Sequence, residues 1–219
     1  MDSEFWTNTW QAGRIGFHMG DVNPVLQAHL AELVQDDHAC VLVPLCGKSH
    51  DLRWLSSQGH DVIGVEWVAQ AVAELFEEGL DEVAERQRVG PYESWRVPGL
   101  CVLNGDMFAL DAAHLPRRPT AVWDRASLVA ISPDRREEFV EVVRRVVAPG
   151  GRVLLNVFDY DQDEMSGPPF SVPEREVRRL FAGCTLTLLH RKDGSAMFKD
   201  NPDRNVTRFD IDTWLIELP

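Results

Sequence analysis

The stretch CVLVPLCGKSHDLRWLSSQGHDVIGVE, residues 40 to 66, decides the fold. Cys40 to Pro44 is a short apolar run that reads as a buried strand and breaks at Pro44, which has no N–H to give a ladder. Asp51 to Gln58 then sets Leu52 and Leu55 on one side of a helix, Gly59 stops it, and HDVIGVE (60 to 66) is a second strand. A strand, a helix and a strand in succession predict an α/β protein. The intervening turn, PLCGKS, has a single glycine, Gly47, beside Cys46 and Lys48. It leaves open a phosphate cradle, a reactive cysteine, or another use.

Working outward, the same alternation continues. Asn23 and Pro24 open a helix with Val25, Leu26, Leu30, Leu33 and Val34 at helical spacing. Residues 67 to 78 form another helix through Ala71, Val72, Leu75 and Phe76, and LCVLNGD (100 to 106) is a third strand. The polar segment 80 to 98 shows no regular pattern. TAVWD within 120 to 131 is a fourth strand, and Ser132-Pro133-Asp134 starts a helix with Phe139, Val142, Val143, Val146 and Val147 inward. APGG ends it and RVLLNVF (152 to 158) is a fifth strand. Ser171-x-x-Glu174 has the form of a capping box before Val177, Leu180 and Phe181. Two strands, 184 to 191 and 209 to 218, close the chain with no helix between them. The expectation is one domain spanning 1–219, built on a doubly wound, seven-stranded, mostly parallel sheet with a C-terminal antiparallel hairpin. That layout is similar to S-adenosylmethionine methyltransferases, in contrast to a plain dinucleotide-binding domain.

A net charge of −13 on 219 residues repels phosphate backbones, so neither nucleic acid nor an anionic membrane is an expected partner. Cys40, Cys46, Cys101 and Cys184 lack CxxC spacing, so no metal site is expected, and the first residues are neither basic nor followed by an apolar run. A cytoplasmic location is the corresponding expectation.

Ligands of open α/β sheets lie beyond the carboxyl ends of the strands, and four ends here carry distinctive residues. Gly47 follows the first strand and permits close backbone approach, although a tight turn alone would also use it. Glu66 ends the second, 19 residues beyond Gly47, near the offset at which a carboxylate accepts from ribose hydroxyls; a solvated carboxylate is the plainer reading. Asp106 ends the third, followed by Met107 and Phe108, which suit either an adenine ring or the core. Trp123, Asp124 and Arg125 end the fourth, where an arginine can hold a carboxylate in a fork and Asp124 can form a surface ion pair. Four such ends together point to an adenosyl ligand.

The chain resembles the thiopurine S-methyltransferase family, bacterial branch. The resemblance rests on WTNTWQAGRIGFH (6 to 18), VPLCGKS (43 to 49), GHDVIGVE (59 to 66), GDMF (105 to 108), WDRASLVAI (123 to 131) and GPPFSV (167 to 172). It implies that Trp10, Leu45, Glu66 and Arg125 contact S-adenosylmethionine, with Asp106 and Met107 near the adenine, Trp6 near the methionine end and Phe17 at the acceptor pocket. It does not reach 79–99 or 192–208, and Trp67-Val68 departs from the family pattern. The implied reaction is methyl transfer to the sulfur of a small aromatic or heterocyclic thiol, extending to selenium and tellurium compounds, and leaving S-adenosylhomocysteine. That cofactor has no phosphates, which accounts for the one glycine in the turn.

An acidic heteroaromatic thiol needs no dedicated base. Arg125, and in the tail Arg204 and Arg208, would favour the ionised acceptor, which makes Arg125 the one catalytic candidate. Asp159 and Asp161 read as a solvated loop and Cys46 as a packed side chain. Residues 1–22, aromatic and punctuated by glycine, read as a flap over the cofactor. A monomer is expected. Methylation of nitrogen or oxygen, and a non-catalytic adenosyl-binding domain, are the alternatives.

Overall fold

The computed structural model describes residues 3–78, 83–198 and 206–219. The elements run α1 (Ser3–Gln11), α2 (Pro24–Leu33), β1 (Cys40–Pro44), α3 (His50–Ser57), β2 (Asp61–Glu66), α4 (Ala69–Glu77), β3 (Glu85–Val89), β4 (Tyr92–Val97), β5 (Leu100–Asn104), β6 (Ala121–Arg125), α5 (Arg136–Val146), β7 (Arg152–Tyr160), α6 (Glu174–Leu180), β8 (Thr185–Asp193) and β9 (Phe209–Glu217). The strands form one sheet in the order β3-β4-β5-β2-β1-β6-β7-β9-β8. Its centre is parallel, from β5 through β2, β1 and β6 to β7, and both flanks are antiparallel.

Successive strand residues point to opposite faces, and the apolar residues divide accordingly. Val41 and Val43 of β1 pack with Leu26 of α2, Leu52 and Leu55 of α3, and Leu75 and Phe76 of α4. Cys40 and Leu42 pack with Phe139 and Val143 of α5 and Val177 of α6. Helices therefore cover both faces, as expected of a doubly wound sheet. The chain winds from β1 to β2 in one direction and later places β6 on the other side of β1, so the switch point lies between β1 and β6.

Two helix starts are as the sequence dictates. The Asn23 side chain accepts from Val25 N at 2.9 Å, and Ser49 accepts from Asp51 N at 3.2 Å.

Two expectations are corrected. The sheet has nine strands where seven were expected, because the irregular segment holds the β3–β4 hairpin, with Gly90 at φ +56° and Pro91 in its turn. Glu85-Arg86-Gln87-Arg88 is exposed at the sheet edge and carries no apolar alternation, so no periodicity marked it. The capping box also fails: α6 has Pro173 at its N-cap with no side-chain bond. Ser171 is engaged elsewhere, donating to Tyr160 O at 2.7 Å and accepting from Tyr160 N at 3.1 Å, which fastens it to the end of β7.

Candidate active site

Beyond the ends of β1 and β6, backbone strain and buried charge coincide. Leu45 and Ala126, the residues that follow these neighbouring strands, both take left-handed conformations, at φ +43° and +69°. Such a conformation costs a side-chain-bearing residue about 1–3 kcal/mol, and it persists where the surroundings over-determine it. Ser127 donates to Pro44 O at 2.7 Å and locks the two turns together.

Glu66 closes this cluster from β2. Its carboxylate, 6% exposed, accepts from Gly47 N at 2.8 Å and Val68 N at 2.7 Å. Burial pushes its pKa up, and the bonds from Val68, Gly47 and Trp67 oppose that rise. A carboxylate offers about four acceptor positions, so these bonds still leave room for a hydroxyl donor. Gly47, at φ +54°, lies against Trp10: a Cβ there would stand 3.2 Å from the indole. Cys46 Sγ packs over Gly64, where a Cβ would approach it to 2.7 Å, and burial drives its pKa well up. Lys48 faces α4, with ion pairs to Glu74 and Glu78 at 2.8 and 2.9 Å.

The aromatic N-terminal segment lies over this turn. Trp10 is buried with Val68 and Ala71, and Trp6, Ile15 and Phe17 pack on them. Phe17 meets Trp6 and Trp10 edge-on at 5.6 and 5.9 Å. Arg125, at the end of β6, donates from Nη1 to Phe17 O at 2.7 Å. Burial lowers its pKa, while Asp51 acts in the opposite sense. His18 is tilted against His50 with ring centroids 5.5 Å apart.

Asp106 caps the turn that follows β5, accepting from Phe108 N at 2.9 Å. Met107 is 2% exposed, with its side chain in the main core. Phe108 is half-buried beneath the Arg135 guanidinium. The structure thus brings Trp6, Trp10, Leu45, Gly47, Glu66, Phe17 and Arg125 together, with Asp106 and Met107 one strand further out.

The other sequence candidates have partners of their own or are not described. Arg208 is exposed and paired with Asp210 and, at 3.2 Å, with Asp159. Arg204 lies outside the described residues. Asp161 caps a local turn through Asp163 N. Trp123 is a core residue, 1% exposed. Asp124 forms no surface ion pair: it is buried and accepts from Leu128 N at 3.1 Å.

Two supporting residues escaped the sequence reading. Asn104 donates to both Glu66 O and Trp67 O, at 2.8 and 2.9 Å, tying the ends of β2 and β5. Tyr92 of the unexpected hairpin is fully buried, lies over Gly105 and donates to Asp106 O at 2.8 Å. An aromatic inside a polar segment was the only available sign of it.

Desolvation lifts the Asp124 pKa from 3.8 to about 6. Its sign is fixed: a native carboxylic acid with a raised pKa binds a proton that the unfolded chain releases, so stability is greatest below the unfolded value and falls as pH rises towards 6. The loss amounts to about 3 kcal/mol at its limit. Asp124→Asn keeps an acceptor for Leu128 N. Its melting temperature is expected to exceed that of the wild type at pH 8 and to converge on it near pH 4. Equal melting curves at pH 8 would contradict this.

A family model described as Thiopurine S-methyltransferase (TPMT) matches residues 1–217. The chain belongs to the thiopurine S-methyltransferase family. The thiopurine S-methyltransferase of Aliivibrio fischeri (strain MJ11) is 41% identical over 221 residues, covering 99% of this chain and 100% of its own. That of Pseudomonas aeruginosa (strain UCBPP-PA14) is 43% identical over 183 residues, 84% of this chain and 83% of the relative. Among solved structures, the 1,6-didemethyltoxoflavin-N1-methyltransferase of Burkholderia thailandensis, with bound S-adenosylhomocysteine, superposes with TM-score 0.63 at 18% identity, covering 99% of this chain and 87% of that one. TehB from Haemophilus influenzae gives TM-score 0.58 at 15% identity over 94% of this chain and 65% of that one. These two structures establish the likeness of fold.

The protein is an S-adenosylmethionine-dependent methyltransferase, and such an enzyme takes a small-molecule acceptor. Its residues suit the cofactor. A buried carboxylate ends β2, a glycine with no side chain faces the strand ends, and apolar rings of Trp6, Trp10 and Phe17 lie above them. Among the described residues no helix is long and apolar enough to cross a membrane.

Proposed function

We propose that this enzyme methylates the sulfur of a small aromatic or heterocyclic thiol of the thiopurine kind, with selenium and tellurium nucleophiles as the chemical extension. The observation that carries the proposal is the half-buried Arg125 guanidinium, bonded to Phe17 at the edge of the turn that Glu66 holds. A cation there favours an anionic acceptor, and a heteroaromatic thiol is ionised near neutral pH without a base.

In this reading Glu66 accepts from the ribose hydroxyls, Leu45 to Gly47 lie along the ribose and aminoacyl portions, and Trp10 and Trp6 cover the methionine end. Asp106 would accept from the adenine amino group, with Met107 beside it in the chain. S-adenosylmethionine supplies an activated methyl on a sulfonium and becomes S-adenosylhomocysteine. The protein's own share is alignment and exclusion of water: residues 1–22 close over the site, Phe17 borders the acceptor and Arg125 holds it ionised. The thiol proton has already passed to solvent, so no side chain has to take it. Arg208, in its ion-pair network, and Arg204 are the remaining candidates for a second cation at the acceptor.

Amine and hydroxyl acceptors at neutral pH need a general base or a different leaving proton, and the match to an S-methylating family favours neither. The test is incubation of the enzyme and cofactor with thiophenol and a thiopurine beside phenol, aniline and the corresponding hydroxypurine. A gain of one methyl mass on the sulfur compounds alone is expected. Methylation of the oxygen or nitrogen compounds in preference would overturn the proposal.

A further inference from the structure

One buried carboxylate in the cluster has no part in the mechanism above. Asp51, the second residue of α3, is 3% exposed. Its Oδ1 accepts from Asn23 N at 2.7 Å and its Oδ2 accepts from the Trp123 indole N–H at 2.8 Å. Asn23 is where the N-terminal segment enters α2, and Trp123 stands on β6 two residues before Arg125, on the same face of that strand. The segment is fastened a second time where Phe17 O accepts from Arg125. Both fastenings therefore lead back to the end of β6.

We propose that Asp51 is a positioning residue for methyl transfer: its carboxylate pins the exit of the covering segment to the strand that carries Arg125, so that cover and guanidinium take up their working places together. This rests on reading residues 1–22 as a cover over the cofactor. The chemistry of the pair requires a carboxylate, because both partners are donors and only an ionised acid offers acceptors alone on both oxygens. An amide in its place sets N–H against N–H on one arm. The arm that fails releases either the segment's exit or Trp123, and each slackens the spacing between Phe17 and Arg125. Arg125 also lies in the field of Asp51, which draws the guanidinium towards the same corner.

The experiment compares Asp51→Asn with Val177→Ala, a core truncation on the opposite face that lowers the melting temperature without touching the site. The readouts are KM for S-adenosylmethionine and hydrogen exchange of the amides of residues 5–18 with and without S-adenosylhomocysteine. Asp51→Asn is expected to raise KM about tenfold and to abolish most of the ligand-induced protection, while Val177→Ala changes neither. Asp51→Asn with wild-type KM or wild-type protection, whatever its melting temperature, overturns the proposal. If that variant does not fold, the wild type still decides: the Asn23 amide is expected to exchange more slowly than those of 18–22 and to slow further with S-adenosylhomocysteine. Exchange at loop rates in the complex overturns the proposal. A wild-type enzyme whose residues 5–18 gain no protection removes the cover reading and the role of Asp51 together. Protection that survives in Asp51→Asn removes the latter alone.

Discussion

Glu66→Ala is expected to weaken S-adenosylmethionine binding by about 1.5–3 kcal/mol, roughly a ten- to hundredfold rise in Kd. Two losses add. The ribose hydroxyls lose a charged acceptor in a buried position, where such a bond is worth most. The Gly47 and Val68 N–H groups lose theirs as well, and the turn against which the cofactor would lie is unlatched. Glu66→Gln, which keeps one carbonyl oxygen, should lose less. Calorimetry with the cofactor and with S-adenosylhomocysteine measures both variants, and an unchanged Kd for the alanine variant would take Glu66 out of the ribose role.

Arg125→Ala is expected to lower kcat/KM for a thiol acceptor about hundredfold, close to 3 kcal/mol of lost alignment and charge. The guanidinium serves twice in the proposed mechanism, holding the Phe17 carbonyl and keeping the acceptor anionic, so both the approach of the cover and the nucleophile suffer. Arg125→Lys should recover little, since an ammonium group on a flexible stem cannot reproduce a planar fork. Steady-state kinetics across a series of thiophenols would show the loss growing as the thiol becomes less acidic. A variant within twofold of the wild type for all of them would contradict the assignment.

The parallel centre of the fold was legible because its strands are buried on both faces and spell continuous apolar runs, as in VLV and VIGV, with helices whose stripes face them. The β3–β4 hairpin was not. Tyr92 and Trp95 pack on opposite faces of the sheet, Ser94 is fully buried between them in the chain and the partner strand is charged, so no period-two signal forms. The same hairpin carries Tyr92, which explains why the support of Asp106 stayed hidden. Strand-end position singled out Gly47, Glu66 and Arg125, which the fold gathers beyond neighbouring strands, because the topology alone dictates where a ligand can lie. Trp123 and Asp51 were beyond that logic: one looked like a site residue and the other like a helix start. Only the fold reveals the bond between them across 72 residues of chain. The Ser171 motif misled for a related reason, since a short hydroxyl side chain serves a strand end as readily as a helix cap.

The state of the enzyme's own sulfur atoms bears on its choice of reactant. Cys40, Cys46 and Cys101 are buried, and desolvation holds the Cys40 thiol at a pKa of about 12 and that of Cys46 well above its ordinary value. Thiol–disulfide exchange needs a thiolate and an open path to it. A catalyst that handles reactive thiols all day, and meets their disulfides whenever the medium turns oxidising, is thereby protected from capture by its own reactants: Cys46, in the turn after β1, is kept protonated and walled off against Gly64. Mixed disulfides would have to form at half-buried Cys184, which precedes β8 and lies away from the turns after β1 and β6.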